Sequence, residues 1–388
     1  MNQFSQKTID YFKNNIDNIP PKNNRSILFD FVKPFIKNGF DILEPNCKTG
    51  EFINDLKQID LSFNITGIEE NKLLFNMVKD ISNCKIYNTS FLHLSSPYNF
   101  NKFDIILGTP PSFIIDKKTD IGNKFKHWFV NKTDIYSFYF MRAIDLLRDN
   151  GIIAFIIPDS FLNSPYLQLL RNKVNTTGTI LQIQRMSNLF TKTTYNTIFI
   201  AFQKNKIVKD AFLYKFYDTV FFTNDIPLYK SIYKNATNLN NLRAKIKCGS
   251  VNSNLVRTHN INCVPIIYSK NIEDNCLQLF NNNKQYVDPN NLFSCVNTKP
   301  SLIFYRIIGN TNNEHNIKYS LCTLDKYICN INLFVITFPE LFNENAVILI
   351  NSIIKSLDFD NTRNWIRNFI KEGVISKFQL KYHLPIYI

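Results

Sequence analysis

Phe103-Asp104-Ile105-Ile106-Leu107-Gly108-Thr109-Pro110-Pro111-Ser112-Phe113 is a short apolar run that stops at a glycine and leaves through two prolines. Its Ile and Leu residues read as a buried strand. Two successive prolines fix φ and remove two donors, so the chain should leave the sheet as a rigid extended arm with carbonyls free to accept hydrogen bonds. Outward from this run, further strands read at 41–44, 65–69, 85–88, 151–158, 180–185 and 197–203. Helical patterns at 52–58, 71–81, 137–148 and 164–174 alternate with them. That alternation predicts an α/β domain, a doubly wound, Rossmann-like parallel sheet of seven strands.

The first strand runs straight into Glu44-Pro45-Asn46-Cys47-Lys48-Thr49-Gly50-Glu51-Phe52. A small-residue turn between strand and helix lets backbone N–H groups approach a ligand at the carboxyl end of the sheet, where open α/β sheets bind. Glu69, at the tip of the second strand, suits hydrogen bonding to a ribose diol. With one glycine in the loop, this is neither a dinucleotide fingerprint nor a P-loop. After the third strand comes Asn88-Thr89-Ser90-Phe91-Leu92, where Phe91 is either a core aromatic or a face for a purine ring.

Lys plus Arg outnumber Asp plus Glu by 45 to 31 in 388 residues, a net charge of +14. Such a balance attracts polyanions, nucleic acid among them. It is equally what Lys- and Asn-rich surface filling produces. The eight Cys form no C-x-x-C pair and no cluster with His at metal-ligand spacing. No metal site is expected, and free thiols fit a reducing compartment. No apolar signal segment or membrane span is legible, so a soluble, cytoplasmic protein without membrane partners is expected. Three segments are predicted: a helical cover over 1–40, the α/β domain over 41–215, and an α+β domain over 225–388.

The order of 44–52, 67–70, 89–92 and 103–113 resembles the gamma group of amino-methyltransferases from restriction–modification systems, the TaqI-like adenine-N6 DNA enzymes. The likeness continues through Ile135-Tyr136-Ser137-Phe138, 146–151, 156–162, Leu170-Arg171, Asn188-Leu189-Phe190 and 197–204. The resemblance implies S-adenosylmethionine as cofactor, held by Glu44, Pro45, Asn46, Gly50, Glu69, Ser90, Phe91 and Thr109. It implies catalysis by Thr109, Pro110, Pro111, Ser112 and Phe190, the last stacking on a target base turned out of double-stranded DNA. An exocyclic base amine is a poor nucleophile because its lone pair is conjugated into the ring. Acceptors binding both N–H bonds draw the nitrogen towards sp³ geometry, in line with a sulfonium methyl.

Three positions depart from the family pattern: Thr109 stands for Asn, Ser112 for Tyr or Phe, and Ser90 for Asp. Thr offers one rotatable hydroxyl where Asn offers a fixed amide oxygen. Phe113, one place later, is the candidate for the missing aromatic face. Cytosine-N4 enzymes tend to carry Ser, occasionally Thr, at the place of Thr109, so cytosine stays open as target. So do an impaired, DNA-binding homologue and an RNA substrate. The last third resembles target-recognition regions loosely, through 247–250, 299–303 with Arg306, and 376–380; Tyr305-Arg306 and Lys318-Tyr319 are candidate contacts to phosphates or bases. The resemblance also admits a cognate restriction endonuclease, a monomer or dimer, and a bacterial or virus-encoded source.

Overall fold

The computed structural model describes residues 21–93, 102–128, 133–186, 196–206, 211–251, 260, 263–280, 286–288, 296–308, 317–370 and 373–388. Phe190 and the 9–12 part of the expected N-terminal cover lie outside the described residues. The chain divides into two compact units, Met1–Ile226 and Pro227–Ile388.

Among the described residues the first unit opens with α1 (Lys22–Val32), whose Leu28 and Val32 are buried. Then follow β1 (Asp41–Glu44), α2 (Glu51–Leu56), β2 (Asn64–Ile68), α3 (Lys72–Val78), β3 (Cys84–Tyr87) and β4 (Phe103–Gly108). Next come β5 (Ile114–Ile115), α4 (Asp120–Lys124), β6 (Thr133–Asp134), α5 (Ile135–Leu146) and β7 (Leu147–Pro158). The unit closes with α6 (Gln168–Thr177), β8 (Gly178–Met186), β9 (Thr197–Lys204) and the hairpin β10 (Leu213–Phe216) and β11 (Thr219–Phe222).

Seven strands form one sheet in the order β3-β2-β1-β4-β7-β9-β8. The sheet is mixed rather than wholly parallel: β9 runs antiparallel to both β7 and β8. Strands β4 and β9 are almost continuously buried, and alternate residues join cores on opposite faces of the sheet. Ile105 and Leu107 of β4 join a core with α1 and α2, whereas Ile106 joins the opposite core with α5 and α6. Both faces are therefore covered, as the doubly wound reading requires. At the amino end of the strands Arg148 ties β1 to β4, bonding Asp41 at 2.6 Å and also Asp104. The 213–222 hairpin belongs to this unit: Val220 and Phe222 enter its core, and Phe222 stacks on Phe161 at 5.4 Å.

The second unit holds α7 (Ile226–Tyr233), β12 (Lys245–Cys248), β13 (Val264–Ile267), β14 (Ile272–Glu273), β15 (Cys276–Leu277) and β16 (Tyr286–Val287). It continues with β17 (Ser301–Tyr305), β18 (Tyr319–Cys322), β19 (Ile328–Cys329), β20 (Leu333–Thr337), α8 (Asn343–Leu357) and α9 (Asp360–Phe369). A four-stranded antiparallel sheet, β12-β20-β17-β18, lies beside a smaller one, β16-β13-β19. In α9, Thr362, Trp365, Ile366 and Phe369 form the buried stripe. Its Trp365 Nε1 donates to the Tyr233 hydroxyl at 2.9 Å, which satisfies the one polar atom of a fully buried indole. Among the described residues no helix is long and apolar enough to cross a membrane.

Candidate functional site

Connections from β1 run outward to β2 and β3 on one side, and the chain then returns to place β4 on the other. The strand order thus reverses between β1 and β4, and the crevice beyond their carboxyl ends is where open α/β sheets bind ligands. Glu44 ends β1 and Thr109 follows β4. Gly108 joins the two sides at φ +139°, and a Cβ there would lie 3.4 Å from Glu44 Cγ. A side chain at 108 is thus disfavoured by conformation and pressed against the carboxylate.

Both flanking residues are buried, and each carries a polar atom, Glu44 Oε2 and Thr109 Oγ1, with no hydrogen-bond partner among the described residues. Such atoms cost on the order of 1–3 kcal/mol each when unpaired. Burial pushes the Glu44 carboxyl well above the usual range, with Glu51 adding and Lys48 opposing. Replacing Thr109 by the near-isosteric valine is expected to raise the melting temperature by roughly 2–4 °C, since about 1 kcal/mol of stranded hydroxyl is removed, while kcat falls. Calorimetric scanning beside a rate assay checks both. A lower melting temperature would mean that the hydroxyl is already satisfied.

The loop after β1 is fixed from below by Glu69. Its Oε2 accepts from Lys48 N and its Oε1 from Asn71 N, both at 2.8 Å, and Asn88 Nδ2 donates to the Glu69 carbonyl at 2.8 Å. Burial raises the Glu69 carboxyl to about 7. Lys48, not singled out from sequence, holds φ +46°, a conformation a non-glycine residue adopts at some cost. Burial lowers its ammonium to about 8 against the pull of Glu69 and Glu44. Pro45, Asn46 and Gly50 are all buried in this turn, with Gly50 N bonded to the Cys47 carbonyl at 2.7 Å.

Two of the predicted residues have other occupations. Phe91 is 1% exposed and lies against Tyr139 at 5.1 Å, so its ring is a core aromatic. Ser90 is buried, and its hydroxyl bonds the Glu70 carboxylate, which burial raises to about 7.

The proline arm is held by a residue that sequence reasoning passed over. Asp134 caps α5 and receives Ser112 Oγ at 2.7 Å, Phe113 N at 3.0 Å and Tyr136 N at 3.3 Å. Burial raises its carboxyl to about 6, with these donors opposing. Ser112 is thereby a latch, and Phe113 packs partly buried on the core under α5. Pro110 and Pro111 are buried behind them.

The site therefore gathers Glu44, the 45–50 turn, Glu69, Thr109 and the arm at one sheet end. Residues 47–190 match the Eco57I restriction-modification methylase family. Over those residues the chain is similar to that family, and it is a methyltransferase with S-adenosylmethionine as its cofactor. The methylase match ends where β8 gives way to the last strand of the sheet. A modification methylase, CviBIII of Paramecium bursaria Chlorella virus NC1A, is 25% identical over 373 residues, 95% of this chain and 92% of that one. The type II methyltransferase M.CvrRI of virus XZ-6E is 28% identical over 157 residues, 38% of this chain and 37% of that protein. Among solved structures, the type IIG restriction endonuclease BpuSI aligns over 92% of this chain and 57% of its own, at 10% identity and a TM-score of 0.43.

The unpartnered Glu44 Oε2 suits the ammonium of the cofactor, and the Glu69 carboxylate at the strand tip has lone pairs left for a ribose diol, so the residues present fit S-adenosylmethionine. That cofactor supplies an electrophilic methyl on a sulfonium.

Proposed function

We propose that this methyltransferase modifies double-stranded DNA at adenine N6, acting on a base turned out of the helix. The observation that carries the reading is the stranded, buried Thr109 hydroxyl at the root of the Pro110-Pro111 arm, one residue after the Gly108 that lies against Glu44. In this reading Glu69 accepts from the ribose hydroxyls, and the 45–50 turn and Glu44 hold the methionine end. Thr109 Oγ1 and the Pro110 carbonyl accept the two N–H bonds of the target amine. Orientation and the exclusion of water do the rest, without a strong base. Phe190 is proposed as the stacking face for the extruded base, since Phe91 and Phe113 are engaged in packing.

The second unit is proposed as the target-recognition part. It carries an open cleft of about 630 Å³ whose lining includes Lys318, Arg363 and Arg367 together with Glu273 and Asp358, so donors and acceptors for base edges occur together. Tyr319 is not among the stacking candidates: it is 2% exposed, with its hydroxyl on Asp358.

The test is transfer of labelled methyl from S-adenosylmethionine to mixed-sequence duplex DNA, with structured RNA as competitor. Incorporation into duplex that RNA does not suppress supports the reading. Incorporation into RNA alone would overturn it.

A further inference from the structure

β5 and β6 pair antiparallel, Ile114 opposite Asp134 and Ile115 opposite Thr133, so the chain between them leaves and returns through one two-residue ladder. The ladder begins directly after the proline arm, and Ile135 N closes it on the Phe113 carbonyl at 3.0 Å. The described part of this excursion, 116–128, exposes Lys117, Lys118, Lys124, Lys126 and His127 against only Asp116 and Asp120.

The platform under these lysines is firm. Ile121 and Phe125 are buried, Phe125 stacks on Trp128 at 4.8 Å, and Phe138 of α5 lies 5.5 Å away. At Gly122 a Cβ would come 2.3 Å from the Asp116 carbonyl oxygen, so the turn is folded back on itself with no room for a side chain. Both acids serve the turn. Asp116 Oδ1 accepts from Lys118 N at 2.9 Å, and Asp120 opens the helix that Thr119 caps through Gly122 N at 3.1 Å. Lys117 and Lys124 are both partly engaged, Lys124 lying 3.5 Å from the Leu92 carbonyl and over the Phe125 ring at 5.7 Å, while both stay exposed.

We propose that 116–128 is a phosphate-gripping element that holds the DNA backbone beside the target nucleotide, with Lys117, Lys118 and Lys126 as its contacts. Exposed ammoniums on a rigid base give position without sequence preference, because phosphates are the same at every step. The shared ladder ties that grip to the arm that receives the amine. The inference rests on duplex DNA being the substrate.

The experiment is fluorescence anisotropy of a fluorescein-labelled mixed-sequence duplex across about 50 to 200 mM salt, with wild type and a K117Q/K118Q/K126Q variant. Each lost phosphate contact removes about 0.9 from the slope of log affinity against log salt, so the slope should fall by up to about 2.7. S-adenosylmethionine affinity, read by calorimetry, should stay as in wild type. Lys57→Gln and Lys79→Gln, at the far ends of α2 and α3, should leave the slope unchanged. If the triple variant does not fold, the three single variants are read in the same way. A slope equal to wild type in folded variants overturns the inference, whereas a wild type that methylates no duplex overturns the substrate reading instead.

Discussion

Glu69→Ala should weaken S-adenosylmethionine binding on the order of 100-fold, measured by calorimetry. Hydrogen bonds to a charged acceptor contribute about 1.5–3 kcal/mol each, and two from the ribose diol reach the 2.7 kcal/mol or so that a hundredfold represents. The loss goes further, because the same carboxylate holds Lys48 N and Asn71 N, and the cofactor turn loosens without it. The sign with pH follows from burial. With its carboxyl held up to about 7, Glu69 is increasingly protonated below neutrality, and a protonated acid cannot accept from both hydroxyls and both backbone donors. Affinity should therefore rise from pH 6 to pH 8 and be lost as pH falls through about 7. Glu69→Gln should be weaker throughout and should lose the part of this rise that Glu69 contributes, leaving only what Glu70 and Lys48 add over the same range. A Glu69→Ala protein binding the cofactor as tightly as wild type would remove Glu69 from the site.

Asp134→Ala should lower kcat by about 100-fold while leaving cofactor affinity within about twofold, because the arm, and not the cofactor turn, hangs on this carboxylate. A misplacement of about 1 Å at a reacting centre can cost that much. Ser112 Oγ, Phe113 N and the capped end of α5 all lose their acceptor at once. Ser112→Ala removes one of the three and should cost nearer tenfold. Asn at 134 retains the cap and one acceptor, so Asp134→Asn should recover part of the rate. The wild-type rate should fall as pH drops through about 6, the value to which burial raises the Asp134 carboxyl, and that step should vanish in Asp134→Asn. A purely structural role would lower the melting temperature without moving the pH profile. Unchanged kcat in Asp134→Ala would show that the arm holds its place by itself.

Much of this was legible in the sequence. Strand positions follow from runs of Ile, Leu and Phe, and the structure moves their ends by few residues; the first and fourth strands stand as read. The direction of β9 was not legible, since a run such as Thr197-Ile198-Phe199-Ile200 has the same period in either sense. The start of α5 was read two residues late because Asp134, an N-cap by residue type, was not used as the helix signal it is. Its second task, holding Ser112 across 22 positions, arises only from the β5–β6 ladder, which no local pattern announces. Phe91 shows the opposite limit: an aromatic after a strand fits core or ligand, and its packing against Tyr139 becomes visible only in the fold. Tyr319, beside Lys318, resolves in the same way, inward to Asp358.

Nucleoside mass spectrometry of DNA from cells expressing the chain, beside cells expressing Thr109→Val, tests the central claim most directly. The account predicts N6-methyladenine in the first and a marked reduction in the second. N4-methylcytosine would contradict adenine as the target, and DNA without either modified base, from cells holding folded protein, would contradict DNA methylation itself.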